Sequence, residues 1–266
     1  MALARTRHAD VELAQKRHVG ARPIDERGGG FDELAPLNIP ERDALGALVG
    51  GARFQTFRAD VADAGAVAGA FTGIDRFFEG AAPDVFVSCA AVSRGADFFS
   101  IALEDFDRAV AVNLRGLFLT AREAGIRMRS AGTGHMVMVT SVVAECAWAY
   151  EVAHSATKAA QLGLVRSLAV ELAPWGIAVN AVGPGIVEVE SRTLEQTRDR
   201  GDGRARALSR TPLARFADAA EVAETVRFLA TVTGMTGQTV YVDGGFLATG
   251  LGYSEADKAR LASASG

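Results

Sequence analysis

Two continuous apolar runs, DVFVSC at 84–89 and HMVMVTS at 135–141, constrain this chain more than any other feature. Neither alternates polar with apolar residues, so each reads as a strand covered on both faces, the pattern of a parallel sheet between helices. The stretches around them keep the same rhythm. FQTF at 54–57 reads as a strand and ADAGAVAGAFTGIDRFF after it as a helix. LEDFDRAVAVNLRGLFLTAREAGIRMRS has helical spacing over most of its length. AHSATKAAQLGLVRSLAVELAPWG is the longest helix, ended by Pro174 and Gly176. IAVNAVGPG follows as a third buried strand closed by a Gly-Pro-Gly turn, then helix AAEVAETVRFLA and strand TVYVDGG. Strand and helix alternating in this way predict an α/β fold, a Rossmann-like doubly wound parallel sheet in one domain over 41–250. Residues 1–40 form an atypical N-terminal segment and 251–266 a C-terminal tail.

Bulk properties narrow the function. With 49% hydrophobic residues in 266, the chain can bury a large core. A formal net charge of −4 gives no reason to expect nucleic-acid or membrane binding. No apolar run reaches the length of a membrane span. The N-terminus lacks the apolar stretch of a secretory signal, and Asp10 and Glu12 argue against a transit peptide. Cys89 and Cys146 lie far apart and form no metal-type spacing, so no metal site is expected. The expectation is a soluble cytoplasmic protein.

Ligands of open parallel sheets bind at the carboxyl ends of the strands. That rule selects Ser88 to Ala91, Thr140 and Ser141, and Gly183 to Gly185. The chain has three lysines, Lys16, Lys158 and Lys258, so Lys158 draws notice. Helical spacing places it on one face with His154, four residues earlier. Ser141 lies thirteen residues before His154, and the three side chains are expected to converge at one sheet edge. Ser141 alone would read as a turn or cap residue.

With those residues in view, the chain from about 54 to 246 resembles the short-chain dehydrogenase/reductase family. The resemblance rests on Asn113 in AVNLRG, Ser141 in VTS and Lys158 in HSATK, which match the family's catalytic Asn, Ser and Tyr-x-x-x-Lys. Asp60 and Val61 match its Asp-Val, Pro184 and Gly185 its Pro-Gly, and TGQTVYVDGG its last strand. The resemblance implies an oxidoreductase using NAD or NADP for hydride transfer on a small carbonyl or alcohol. It implies catalytic roles for Asn113, Ser141, His154 and Lys158. It implies cofactor contacts at Asp60, Val61, Ala90, Ala91, Lys158, Pro184 and Gly185. A homodimer or homotetramer is expected through the helices around 101–130 and 153–173, as in family members.

The chain departs from the family pattern at three places. His154 stands where the family has tyrosine, its usual proton donor. Ser88-Cys89-Ala90-Ala91 replaces Asn-Asn-Ala-Gly, and the Ala91 methyl crowds a place where glycine admits the cofactor. The Gly-rich phosphate fingerprint is missing: Pro23 and Asp25 interrupt VGARPID, and Gly28, Gly29 and Gly30 are followed by Asp32 and Glu33. Those departures keep two further readings open. One is a cofactor-independent lyase, isomerase or cyclase using Ser141 and His154. The other is a catalytically silent, oligomerising member. The polar, Arg-rich segment 186–212 reads either as a solvated helix and loop or as a substrate lid, which would favour an anionic or polar substrate.

Overall fold

The structure is a computed structural model that describes residues 2–4, 55–187 and 203–249. Four parallel strands carry it: β2 (Val85–Ser88), β3 (Gly134–Val139), β4 (Ile177–Pro184) and β5 (Thr239–Val242). A fifth strand, β1 (Ala2–Ala4), lies antiparallel beside β2, and the order across the sheet is β1-β2-β3-β4-β5. The in-register pairs Val85–His135 and Met136–Val179 align β2, β3 and β4, so their C-terminal ends share one edge.

The two apolar runs are buried on both faces for a visible reason. Phe86, Met136, Met138, Val179 and Ala181 point to one side. They meet α1 (Ala64–Phe77), α3 (Leu117–Ala131) and α4 (Val152–Leu172) there. Val85, Val87, Val137 and Val182 point to the other side, against α6 (Ala219–Leu229). Helices on both faces make this a doubly wound, Rossmann-like α/β fold. Phe71, Phe86, Met128 and Met136 are fully buried, each stabilising by roughly 1.5–3 kcal/mol relative to exposure.

Local signals set the helix ends. Asp63 caps α1 by accepting from Ala66 N at 2.7 Å. Asp218 and Glu221 form a reciprocal capping box on α6. The helix α4 passes into a 3₁₀ turn at Ala173–Trp175 and stops at Gly176, whose φ of 68° suits a residue without Cβ. A short helix α2 (Leu103–Ala109) precedes α3, and α5 (Gly203–Ser209) lies between β4 and α6.

Two sequence expectations are corrected. Residues 55–60 run without sheet pairing, so FQTF is not a strand over the part described. Its Phe57 packs onto the core beside α1 instead, which explains an apolar residue there without a ladder. The sheet is also not wholly parallel, because β1 pairs antiparallel; three residues carry too little pattern to announce a strand. The glycines at 28–30, the rest of 1–40 apart from 2–4, most of the Arg-rich segment and the tail 251–266 lie outside the described residues.

Candidate active site

The rod from α2 to α3 is continuous, and its middle, Val110–Gly116, is π-helix. Such a turn bonds i to i+5, so carbonyls are left for other partners. Asn113 sits at its centre with no exposed surface. Its side chain grips the main chain of Val92 in both directions. Oδ1 accepts from Val92 N at 2.8 Å, and Nδ2 donates to Val92 O at 2.9 Å. Nδ2 also donates to Thr157 Oγ1 at 3.0 Å, while the Asn113 carbonyl accepts from Gln161 Nε2 at 2.6 Å. These bonds tie the exit of β2, the π turn and α4 into one buried polar network.

The same face of α4 presents His154 and Lys158. Lys158 is 4% exposed, and its Nζ donates to the Val139 carbonyl, at the end of β3, at 2.8 Å. Among the described residues no carboxylate is ion-paired with it. Burial therefore pushes its pKa from 10.5 down to about 8, with nearby Cys89 opposing the change. Burial, and secondly the charge of Lys158, push His154 down to about 4, with the nearby Val92 backbone opposing the change. Among the described residues the buried Nδ1 of His154 has no hydrogen-bond partner. At neutral pH the imidazole is uncharged and the amine is the group poised to titrate.

Ser141 opens the 3₁₀ turn Val142–Ala144, which packs against α4, and its Oγ accepts from Val143 N at 3.3 Å. The structure thus joins Asn113 to His154 through Thr157, sets Lys158 within reach of His154 by charge, and places Ser141 on the adjoining turn. Beyond Ser141 lies a small pocket lined by residues that include Val142, Trp148, Arg215, Asp243 and Phe246. The Trp148 and Phe246 rings stack with centroids 6.0 Å apart.

The candidate cofactor residues follow the same edge. Asp60 is half-buried, with Oδ1 accepting from Ala62 N at 2.9 Å and Oδ2 from Arg108 at 3.0 Å. Those two interactions, the Ala62 bond first, hold its carboxyl below the usual range despite burial. Arg115 also donates to the Ala62 carbonyl. Val61 leans on Gly116, where an added Cβ would come within 2.8 Å of Val61 Cγ2. Ala90 is half-buried and Ala91 exposed just past β2. Pro184 ends β4, and Gly185 N donates to Val242 O at 2.9 Å. Lys158 uses one of its three N–H groups on Val139, so its donor set fits a ribose hydroxyl at the sheet edge.

Comparison with known proteins decides the family. A family model described as enoyl-(acyl carrier protein) reductase matches residues 34–247. D-threitol dehydrogenase of Mycolicibacterium smegmatis is 34% identical over 214 residues, 79% of this chain and 80% of that one. The chain belongs to the short-chain dehydrogenase/reductase family. It is an oxidoreductase of that family. Two solved members share the fold. A gluconate 5-dehydrogenase from Burkholderia cenocepacia, in complex with NADP and tartrate, has a TM-score of 0.66 at 28% identity, covering 71% of this chain and 73% of that one. Levodione reductase has a TM-score of 0.72 at 27% identity, covering 79% and 83%.

Within this short-chain dehydrogenase/reductase, sequence reasoning missed Val92, Thr157 and Gln161. Val92 takes part through its main chain, which no motif reveals. Thr157 and Gln161 are polar residues on a buried helix face, 2% exposed each, and that mismatch was the available signal. No described helix is long and apolar enough to cross a membrane.

Proposed function

We propose that this protein moves hydride between NAD or NADP and a small alcohol or carbonyl compound, with Lys158 holding the exchanged proton. The observation that carries this reading is the buried Lys158 at the end of β3, anchored on a carbonyl rather than on a carboxylate. A cation kept in such a place costs stability, which is the pattern of a functional group. The family's dehydrogenases and reductases, including the one in complex with NADP, support a nicotinamide cofactor.

By resemblance, Lys158 would hold the nicotinamide ribose, Pro184 and Gly185 would border the nicotinamide, and Asp60, Val61, Ala90 and Ala91 would follow the adenosine half. When bound, the cofactor supplies the hydride donor or acceptor. Ser141 then steadies the substrate oxygen by hydrogen bonding. His154 takes the tyrosine's place as an uncharged ring, a weaker proton donor than imidazolium, because it titrates at about 4. Lys158, titrating at about 8, gives or takes the proton near neutral pH. Asn113 holds the floor of the site through Val92 and Thr157.

Titration with NADH and NADPH tests the reading, following nucleotide fluorescence and thermal stability together. A ligand that binds only the folded chain must raise its stability. Saturable binding at micromolar levels, with alcohol-dependent reduction of NAD or NADP, is the expected result. No binding at millimolar cofactor overturns it and returns attention to proton-transfer chemistry without a cofactor.

A further inference from the structure

Among the described residues that line the pocket beside Ser141, two are charged, and both are already committed. Arg215 is held by Glu221 through two bonds of 2.8 and 2.7 Å. Glu221 is pulled down to about 2 by Arg215 and by the Asp218 backbone, so it stays ionised. Asp243 turns both oxygens into its own turn, Oδ1 to Gly245 N and Oδ2 to Leu247 N, each at 2.9 Å. Both of these charges are therefore satisfied by the protein itself.

Arg210 differs. It is exposed just after α5, and its guanidinium lies 5.0 Å from the centroid of Phe246, a ring that lines the pocket. Its charge also reaches Cys146, at the far end of the turn that Ser141 begins. Among the described residues no carboxylate is ion-paired with Arg210. A guanidinium resting on an aromatic face keeps its N–H edge for a planar anion. The stacked Trp148 and Phe246 wall favours a short, flat-sided substrate end over a long chain.

We propose that Arg210 is a specificity-determining residue that receives a substrate carboxylate, making the substrate a small hydroxy acid. The inference rests on the dehydrogenase reading above, because the oxidised carbon must sit beside Ser141 while the carboxylate reaches Arg210. The reaction balances as hydroxy acid plus NAD or NADP giving keto acid, reduced cofactor and a proton.

The test compares the wild-type chain with Arg210→Met, which keeps length and ring contact but removes the charge, and with Arg210→Lys. The kcat/KM for hydroxy acids of three to six carbons is measured against that for neutral polyols of the same skeleton. The hydroxy-acid to polyol ratio should fall about 10- to 100-fold in Arg210→Met, the usual worth of a charge-assisted hydrogen bond. Arg210→Lys should recover part of it. A second readout needs no turnover: tartrate and malonate should raise the wild-type Tm and lose that effect in Arg210→Met. Equal losses on acid and polyol, or dicarboxylate stabilisation surviving in Arg210→Met, overturn the proposal. A chain that binds tartrate through Arg210 yet never binds NADH or NADPH would sink the dehydrogenase reading and leave the anion site standing.

Discussion

Replacing Lys158 by Met should make the protein more stable at pH 7 and inactive. The folded chain releases the Lys158 proton near pH 8, whereas the unfolded chain holds it to about 10.5. Between those values the unfolded state binds more protons, so stability rises as pH rises; below 8 the whole penalty is felt. At about 1.4 kcal/mol for each tenfold change in proton affinity, the penalty is about 3 kcal/mol. Methionine escapes it but forfeits the charge-assisted bond to Val139 O, worth about 2 kcal/mol, leaving a net gain of about 1 kcal/mol at pH 7. Urea unfolding of both proteins at pH 7 and pH 10.5 gives the check, since groups common to both cancel in the difference. The advantage of Lys158→Met should vanish or reverse by pH 10.5. A difference that stays flat with pH, or a less stable variant at pH 7, would refute the reasoning that this amine is buried at a cost.

Other outcomes follow from the same geometry. His154→Tyr restores the family's phenol and should raise kcat at least tenfold, read in initial rates with saturating cofactor. Alcohol oxidation by the wild-type chain should climb as pH passes about 8, because the acceptor is the unprotonated Lys158, and should show no inflection near the ordinary histidine value of 6.5. Asn113→Leu removes the bonds to Val92 and Thr157 and strands their buried partners, so it should lose roughly 3 kcal/mol and most activity, measured by urea unfolding and turnover.

Strands β2 and β3 were legible because each lies in a continuous apolar run, which only tightly covered strands can hold, and β4 and β5 because their β-branched residues alternate with helices and end in Gly-rich turns. The strand read at FQTF failed because four residues of suitable pattern cannot show whether a neighbour is there to pair with. Asn113, His154 and Lys158 were legible through spacing and resemblance. The hold of Asn113 on Val92 and of Lys158 on Val139 was not, since a main-chain partner leaves no mark on residue type. The π turn was equally hidden: AVNLRG has apolar spacing that suits either kind of turn. Trp148, Arg215 and Phe246 come together at the pocket from separate stretches, which local pattern cannot foresee.

The wide turn around Asn113 has a further consequence. Bonds from i to i+5 accommodate residues that an ordinary helix has no room for, so the site depends on chain length as well as on residue identity. Deleting one residue between Val110 and Val112 would let the rod close into a regular helix without altering any catalytic side chain. Because the wide turn is what absorbs the extra residue, closing it would leave the segments on either side near their present phase. The same deletion in a regular stretch would rotate one side by about 100° against the other, since one turn holds about 3.6 residues. Arg108 would keep to Asp60 and Gly116 to Val61, while the bonds that Asn113 makes from the wide turn would be redrawn. A one-codon deletion in this stretch would thus act on the turn that carries Asn113 and leave the flanking segments in register.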